Sequence, residues 1–200
     1  MPSLIYTSAG AAATFLAACL IWLVPEAIGT FRQRAPVART EAVVQDRGSM
    51  GILIGLQWTG LALCLTFGRI LQRAAIPWQP VAIFRLGIIL MLLGVALRWH
   101  AIRTLGHYFT RDVAVSASQQ VVRRGPYHFV RHPAYSGTFL TMLGVGLAMT
   151  NWASLLALVV CVLLGHLYRV RIEEEALTRA IGQPYIEYMR HTKRFIPWVF

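Results

Sequence analysis

The stretch that decides the fold is Pro133–Tyr168, which reads PAYSGTFLTMLGVGLAMTNWASLLALVVCVLLGHLY. Its 36 residues include no Asp, Glu, Lys or Arg. A membrane-spanning helix needs about 20 apolar residues, so this run is too long for one helix and just long enough for two. Thr150-Asn151 lies at its midpoint. We therefore predict two helices joined there in a tight hairpin.

Three more apolar runs precede this one, at Leu4–Val24, Gly48–Gly68 and Val81–Leu97, the last interrupted near its start by Arg85. Each is long enough to cross the hydrocarbon core of a bilayer. Because no Lys or Arg precedes the first run, it does not have the form of a signal peptide. The prediction is an all-α, multi-pass integral membrane protein with a bundle of about five transmembrane helices.

Composition supports the same class. Of the 200 residues, 56% are hydrophobic and only 14% are charged, whereas soluble domains carry about 25% charged residues. A water-soluble globule and a disordered chain are both excluded on these figures. The three cysteines lie inside the apolar runs without CxxC spacing, which is typical of buried thiols and not of disulfides or metal sites.

The formal net charge of +11 is distributed unevenly between the two sides of the bundle. The region 29–49, the region 98–132 and the tail from Arg169 hold sixteen Arg or Lys residues, and the alternate side holds three. Basic residues flank membrane spans on the cytoplasmic side, so the N-terminus is predicted outside and the tail in the cytoplasm. Basic residues placed between apolar runs indicate contact with membrane lipids; no nucleic-acid partner is expected.

Two segments on the predicted cytoplasmic side hold the candidate chemistry. Arg123–Gly137 contains two prolines and two glycines in 15 residues, which exclude a regular helix before Pro133, and it leads into the fourth predicted helix. Arg169 and Glu173 are four residues apart and so share one face of the fifth helix. A basic juxtamembrane loop and a solvated ion pair are the simpler interpretations, and composition alone does not exclude them. No metal site is expected, because the His128 and His132 pair has no evident third ligand.

These same residues resemble a known family. Gly125–Gly137 reads GPYHFVRHPAYSG and is similar to the GPYxxVRHPxYxG signature of the isoprenylcysteine carboxyl methyltransferase family, which includes related phospholipid N-methyltransferase-like proteins. A second signature of that family is matched by Arg169, by the run Glu173–Leu177, by Ile181–Tyr188 and by Lys193–Pro197. The likeness covers about residues 85–198, whereas residues 1–80 share only two hydrophobic spans.

The resemblance implies a membrane methyltransferase that uses S-adenosylmethionine without a Rossmann domain. It implies a single membrane domain in which 1–80 form two N-terminal transmembrane helices and 81–200 form the methyltransferase core. The cofactor site would face the cytosol and be built from the loop before helix 4 and the C-terminal tail. The cofactor-binding residues carried over are Gln119, Gln120, Val121, Val122, Tyr127, His132, Pro133, Ala134, Tyr135 and Glu173.

The resemblance also implies that Arg169 binds the carboxylate of a lipophilic or lipidated substrate that arrives from the bilayer. It implies that Arg169 and Glu173 are the catalytic residues. One position departs from the family, since Gln119 stands where a His is frequent and Val121 replaces a Leu. Gln still donates and accepts hydrogen bonds, so cofactor binding is expected to survive.

Three alternatives stay open. The methyl acceptor could be another lipophilic compound, such as a phospholipid amine, a phenolic lipid or a thiol. Membrane sterol reductases, which use NADPH, have a C-terminal region that resembles this family. Their chains are expected to be longer and to have more spans. A membrane scaffold or transporter would place ionisable residues at the bundle centre, where only Arg85 and His166 come near.

Overall fold

The computed structural model describes residues 3–33, 43–44, 46–109, 114–115 and 120–196. This part of the chain is almost wholly helical. Its α-helices are α1 (Leu4–Thr7), α2 (Ala9–Gln33), α3 (Ser49–Ile70), α4 (Pro80–Leu105), α5 (Pro133–Ala148), α6 (Trp152–Ile181) and α7 (Gln183–His191). Short 3-10 turns lie at Gln72–Ala74, Gly106–Tyr108 and Gly125–His128. Two-residue strands β1 (Val43–Val44) and β2 (Ala114–Val115) pair antiparallel.

The predicted first span, Leu4–Val24, is wrong at both ends. Ser8 has extended backbone angles and separates α1 from α2. The second helix then continues through Pro25 to Gln33, well beyond the apolar run. The prediction ended the helix where apolar residues ended, but apolarity bounds the part of a helix that lies in lipid and not the helix itself. For the same reason α4 runs eight residues past the predicted Leu97.

The predicted hairpin at Thr150-Asn151 is confirmed. Thr150 takes a left-handed φ of 48° between α5 and α6. The Asn151 side chain caps α6 by accepting from the Ser154 N–H at 3.1 Å, an arrangement that satisfies a backbone donor at a helix start. Its Nδ2 also donates to the Leu71 carbonyl at 2.9 Å. The turn is therefore tied to the end of α3.

Helix α5 is the central helix of the bundle, and ten of its sixteen residues are buried. It packs against α4 through glycines on both helices, namely Gly87 and Gly94 on α4 and Gly137 and Gly144 on α5. A Cβ built on Gly94 would lie 2.4 Å from the Thr141 backbone nitrogen. Small residues allow such close approach of helices in membranes.

In the part of the chain that the structure describes, four helices are long and apolar enough to cross a bilayer: Ala9–Gly29 within α2, then α3, α4 and α6. Many of their large apolar side chains are exposed, as a lipid-facing surface requires. The chain is an integral membrane protein. With 16 residues α5 is about 24 Å long, shorter than a hydrocarbon core of about 30 Å. The count of five crossings therefore stays a prediction.

The C-terminal tail lies against the segment before α5. The Arg131 N–H donates to the Lys193 carbonyl at 2.8 Å, and the His132 N–H donates to the Arg194 carbonyl at 3.0 Å. Ser136 Oγ adds a bond to the Phe195 carbonyl at 2.7 Å. The loop before α5 and the C-terminal tail are thus neighbours in space.

Candidate functional site

The hydroxyl of Tyr135 joins the two predicted catalytic residues. Tyr135 lies in the first turn of α5, and its hydroxyl donates to Glu173 Oε2 at 2.7 Å. The Nε of Arg169 donates to the same hydroxyl at 3.3 Å. Since Arg169 and Glu173 are one turn apart on α6, both can reach one residue of the adjacent helix. The structure therefore brings these three predicted residues together.

The guanidinium of Arg169 is buried, with a side-chain exposure of 2%. Its Nη1 donates to Ser49 Oγ at 2.7 Å and to Asp46 Oδ1. Both partners come from the start of α3, outside every sequence signature, so the sequence analysis missed them. Asp46 and Ser49 stand three residues apart before an apolar run, a pattern that indicates a helix start. The pattern predicts a helix cap and does not connect either residue with Arg169.

Asp46 also caps α3. Its carboxylate accepts from the Ser49 hydroxyl at 2.8 Å and from the Met50 N–H at 3.2 Å. Burial would raise the pKa of the Asp46 carboxyl, but the hydrogen bonds from Met50 and Ser49 and the adjacent Arg169 charge outweigh burial and lower that pKa. The Asp46–Arg169 pair is therefore ionised at neutral pH.

Glu174, and not only Glu173, is part of this region. Its Oε1 accepts from Arg131 Nε at 2.9 Å, and its Oε2 accepts from Arg194 Nη2 at 2.8 Å. His132 Nε2 lies 3.3 Å from Oε1. Glu174 thus links the loop before α5 to the C-terminal tail. No role for Glu174 was predicted from the sequence, although the surplus of arginines over acids indicated that an acid here could form an ion pair.

His132 is buried, and its ring stacks on that of Tyr135 at a centroid distance of 5.7 Å. Its carbonyl accepts from the Tyr135 and Ser136 N–H groups at the start of α5. The Nε2 atom faces Glu174, so His132 is oriented by that carboxylate. Its predicted contact with the cofactor stays a prediction.

The other predicted cofactor residues lie on both sides of this region. Tyr127 is buried, and its carbonyl accepts from the Tyr188 hydroxyl at 2.5 Å. Val122 packs against Tyr127 and Ala134, while Pro133 opens α5 and is fully buried. Val121 is half-buried and Gln120 is exposed; Gln119 lies outside the described residues.

Tyr135 also lines a cavity of about 420 Å³. Its walls are mostly apolar and come from four of the long helices and α5. The lining includes Trp22, Leu53, Trp58, Phe109, Tyr135 and His166. Nδ1 of His166 lies 2.8 Å from the Val162 carbonyl, and the side chain is buried.

An ion pair forms the polar part of the cavity lining. Arg98 on α4 donates from Nη2 to Glu26 Oε2 on α2 at 3.2 Å, and from Nη1 to Thr138 Oγ1 at 3.1 Å. Both side chains are largely buried, at 15% and 20% exposure. Glu26 lies just past the predicted end of the first span, so the sequence analysis did not connect it with Arg98.

This region is similar in sequence to a known protein family. Residues 87–179 match the model of the isoprenylcysteine carboxyl methyltransferase family. Protein-S-isoprenylcysteine O-methyltransferase B of Arabidopsis thaliana is 31% identical over 115 residues, which cover 56% of this chain and 58% of the relative. The Saccharomyces cerevisiae protein-S-isoprenylcysteine O-methyltransferase is 32% identical over 116 residues, covering 57% and 48%.

The fold is similar to the solved structure of the eukaryotic intramembrane Ras methyltransferase ICMT, with a TM-score of 0.54 at 24% identity. That similarity covers 78% of this chain and 55% of the solved chain. The chain thus spans about half the length of the relatives it matches. The matched segment contains Arg98, Tyr135 and Arg169, and a methyltransferase family implies a methyl donor. Residues 87–179 are therefore similar to the isoprenylcysteine carboxyl methyltransferase family.

Proposed function

We propose that this protein is an S-adenosylmethionine-dependent membrane methyltransferase that methylates the carboxylate of an isoprenylcysteine-like lipophilic substrate. The proposal takes the chain as one membrane domain with its methyltransferase core at 81–200. One observation carries it. The Tyr135 hydroxyl joins Arg169 to Glu173 at the wall of an apolar cavity, so an anion-binding group and a cation-binding group lie next to room for a lipid chain.

The cavity suits the apolar part of the acceptor. Small-molecule pockets have volumes of about 300–1,000 Å³ and are lined mainly by apolar and aromatic side chains, and this cavity has both properties. Trp58 is 59% exposed on the outer face of α3. A lipid chain can therefore enter from the bilayer while its polar end reaches the interior of the bundle.

The residues fit the proposed cofactor. S-adenosylmethionine, when bound, supplies an electrophilic methyl group on a positively charged sulfur. Glu173 would hold this cation by its carboxylate, and the aromatic rings of Tyr127 and Tyr135 would add cation–π attraction. Tyr135 contacts Glu173 at 2.7 Å, and burial together with the nearby Glu173 charge raises the pKa of Tyr127.

No general base is needed in this proposal, because a carboxylate is already a nucleophile. Arg169 would orient it by the planar fork of its guanidinium, and the buried surroundings of Arg169 exclude water. Catalysis then depends on holding the carboxylate oxygen in line with the methyl group, which is proximity catalysis. A polar cofactor would enter from the cytoplasm, where the excess of basic residues places the tail.

The first experiment is titration of the purified protein with S-adenosylhomocysteine, since tight binding removes the scaffold and reductase alternatives. Glu173→Gln should lose both this binding and methyl transfer. Arg169→Lys should keep the binding and lose most of the transfer, because Lys cannot offer a planar fork. Arg171→Lys and Glu175→Gln, on the exposed faces of α6, are the matched controls. Wild-type transfer by Arg169→Lys would contradict the acceptor role.

A second candidate acceptor is supported by one contact. Arg169 is already paired with Asp46, so a neutral or cationic acceptor, such as a phospholipid amine, a phenolic lipid or a thiol, would need no anion site. Incubation with methyl-labelled cofactor, followed by lipid extraction and identification of the labelled species, separates the two. Label on a carboxyl ester supports the first proposal, and label on nitrogen, a phenol or sulfur supports the second.

A further inference from the structure

Two carboxylates of the chain already meet around the buried guanidinium of Arg169. Asp46 accepts a hydrogen bond directly from Nη1, and Glu173 is reached through the Tyr135 hydroxyl. Ser49 completes the arrangement by accepting from Nη1 and donating to Asp46. The residue expected to bind a substrate anion is thus bonded to an anion of the protein itself.

A third carboxylate cannot join this cluster at low cost. Without a bound cofactor, one positive charge would then face three negative charges in a buried site, and buried charge without a partner is strongly unfavourable. Glu173 lies on α6 itself and contacts Tyr135, so the residue able to leave is the one from a different segment. That residue is Asp46.

The Asp46 side chain is also the one placed to move away from Arg169. Its side chain is 14% exposed, against 2% for Arg169, so it is the partner with access to water. The two residues after it, Arg47 and Gly48, have φ of 48° and 75°, and the left-handed region is one that Arg adopts rarely. Asp46 therefore lies in a turn outside the α3 helix, and its side chain can leave Arg169 if it gives up its bonds to Ser49 and Met50.

We propose that Asp46 is an internal competitor for the acceptor's carboxylate: it holds Arg169 while the acceptor is absent, is displaced by the acceptor's carboxylate, and returns when methylation has removed that charge. This inference rests on the proposed function. It makes Asp46 a specificity-determining residue, because an acid can displace a carboxylate from Arg169 and a neutral ester cannot. The methylated product would therefore be disfavoured relative to the substrate, although both carry the same lipid chain.

The test measures binding apart from turnover. The probes are a prenylated cysteine with a free carboxylate and the carboxamide of the same compound, titrated into the full chain in lipid nanodiscs. Trp22 and Trp58 line the cavity, so tryptophan fluorescence reports occupancy. Asp46→Asn should bind the carboxylate probe about tenfold more tightly, the change expected when one competing charge-assisted hydrogen bond is lost. Its affinity for the carboxamide should not change.

The amide oxygen of Asn in place of Asp46 can still accept the capping bond from the Met50 N–H, so the start of α3 should be retained. Ser49→Ala is the second variant, since it removes a group bonded to both Asp46 and Arg169; it should tighten carboxylate binding by a smaller factor. Glu187→Gln, an exposed acid on α7, should change neither affinity. Equal or weaker carboxylate binding by both variants, or failure of the probe to bind any form, overturns the inference.

Methyl transfer to the carboxylate probe is then measured on the same samples. Tighter binding in Asp46→Asn without transfer in any form would support the competitor and contradict the proposed activity. Transfer by the wild type with no tightening in either variant would contradict the competitor and leave the activity standing.

Discussion

Three consecutive glutamates of α6 have three different surroundings, because each residue of an α-helix is rotated by about 100° from the one before. Glu173 is half-buried and accepts from Tyr135. Glu174 is buried among Arg131, His132 and Arg194. Glu175 is exposed and pairs with Arg179 and Arg47 at the surface. Residues of one chemical type thus differ in what their replacement should do.

Glu174→Gln should destabilise the protein by about 3–5 kcal/mol, because it leaves Arg131 and Arg194 without their shared buried carboxylate. Glu175→Gln removes exposed pairs and should cost less than about 1 kcal/mol. Thermal unfolding of the two variants in detergent measures the difference. Equal unfolding temperatures would show that Glu174 does not hold the tail to the loop before α5.

Tyr135→Phe should keep the fold and weaken the binding of S-adenosylhomocysteine. The ring remains to stack on His132, whereas the hydroxyl that joins Arg169 to Glu173 is lost, and an unsatisfied buried partner costs about 1–3 kcal/mol. That energy corresponds to roughly fivefold to 150-fold in affinity. Isothermal titration checks it, with exposed Tyr168→Phe as the matched control. Unchanged affinity would remove Tyr135 from the site.

At the scale of the elements, the position of α5 depends on its contact with α4. Gly94 of α4 lies against the backbone of Gly137 and Thr141, and Gly144 of α5 lies against Gly87. Gly87 and Gly94 are seven residues apart on α4, and Gly137 and Gly144 are seven apart on α5. The two glycines of each helix therefore lie on the same side of it. This contact sets where the N-terminus of α5, with His132 and Tyr135, meets the polar end of α6.

Gly94→Ala should destabilise the bundle by about 1–3 kcal/mol, the usual cost of overpacking, because the new methyl group would lie 2.4 Å from the Thr141 nitrogen. It should also reduce cofactor binding by shifting Tyr135. Gly55→Ala on α3 meets no atom within 4 Å and should be neutral or stabilising by up to about 1 kcal/mol. Thermal unfolding and S-adenosylhomocysteine titration are the two readouts. Equal behaviour of the two variants would contradict the role of close packing.

For the whole molecule, the N-terminal helices supply charges that the family-matched segment needs. Glu26 of α2 pairs with Arg98, and Asp46 before α3 pairs with Arg169. Both arginines lie within residues 87–179, whereas both acids lie before it. Each arginine is partly or wholly buried, and a buried guanidinium without a partner would be costly. The first two long helices therefore complete the electrostatics of the bundle.

The orientation of the whole bundle is a separate prediction. With the native cysteines removed, a cysteine at Gln72 should react from outside intact cells with a membrane-impermeant maleimide, whereas one at Glu187 should react only after permeabilisation. Both positions are exposed at opposite ends of the bundle, and the excess of basic residues beside Glu187 places it in the cytoplasm. Efficient labelling of the Glu187 position in intact cells would reverse the topology.

The sequence by itself determined the class of the protein, the hairpin at Thr150-Asn151 and the two segments that hold the candidate site. These follow from local properties: apolar length sets what can lie in a bilayer, and the order of residues in Gly125–Gly137 and around Arg169 is read directly. The meeting of Arg169, Glu173 and Tyr135 could be anticipated because helical spacing and a family signature both constrained it.

The pairing of each acid with its arginine depends on the tertiary structure alone. Asp46 lies 123 residues before Arg169, and Glu26 lies 72 before Arg98, so no periodicity or local spacing connects them. The same holds for Glu174, whose two arginines come from a loop 43 residues before it and a tail 20 residues after it. Charge pairing between distant segments depends on which helix faces are brought together by packing, and burial makes a charge without a partner too costly there.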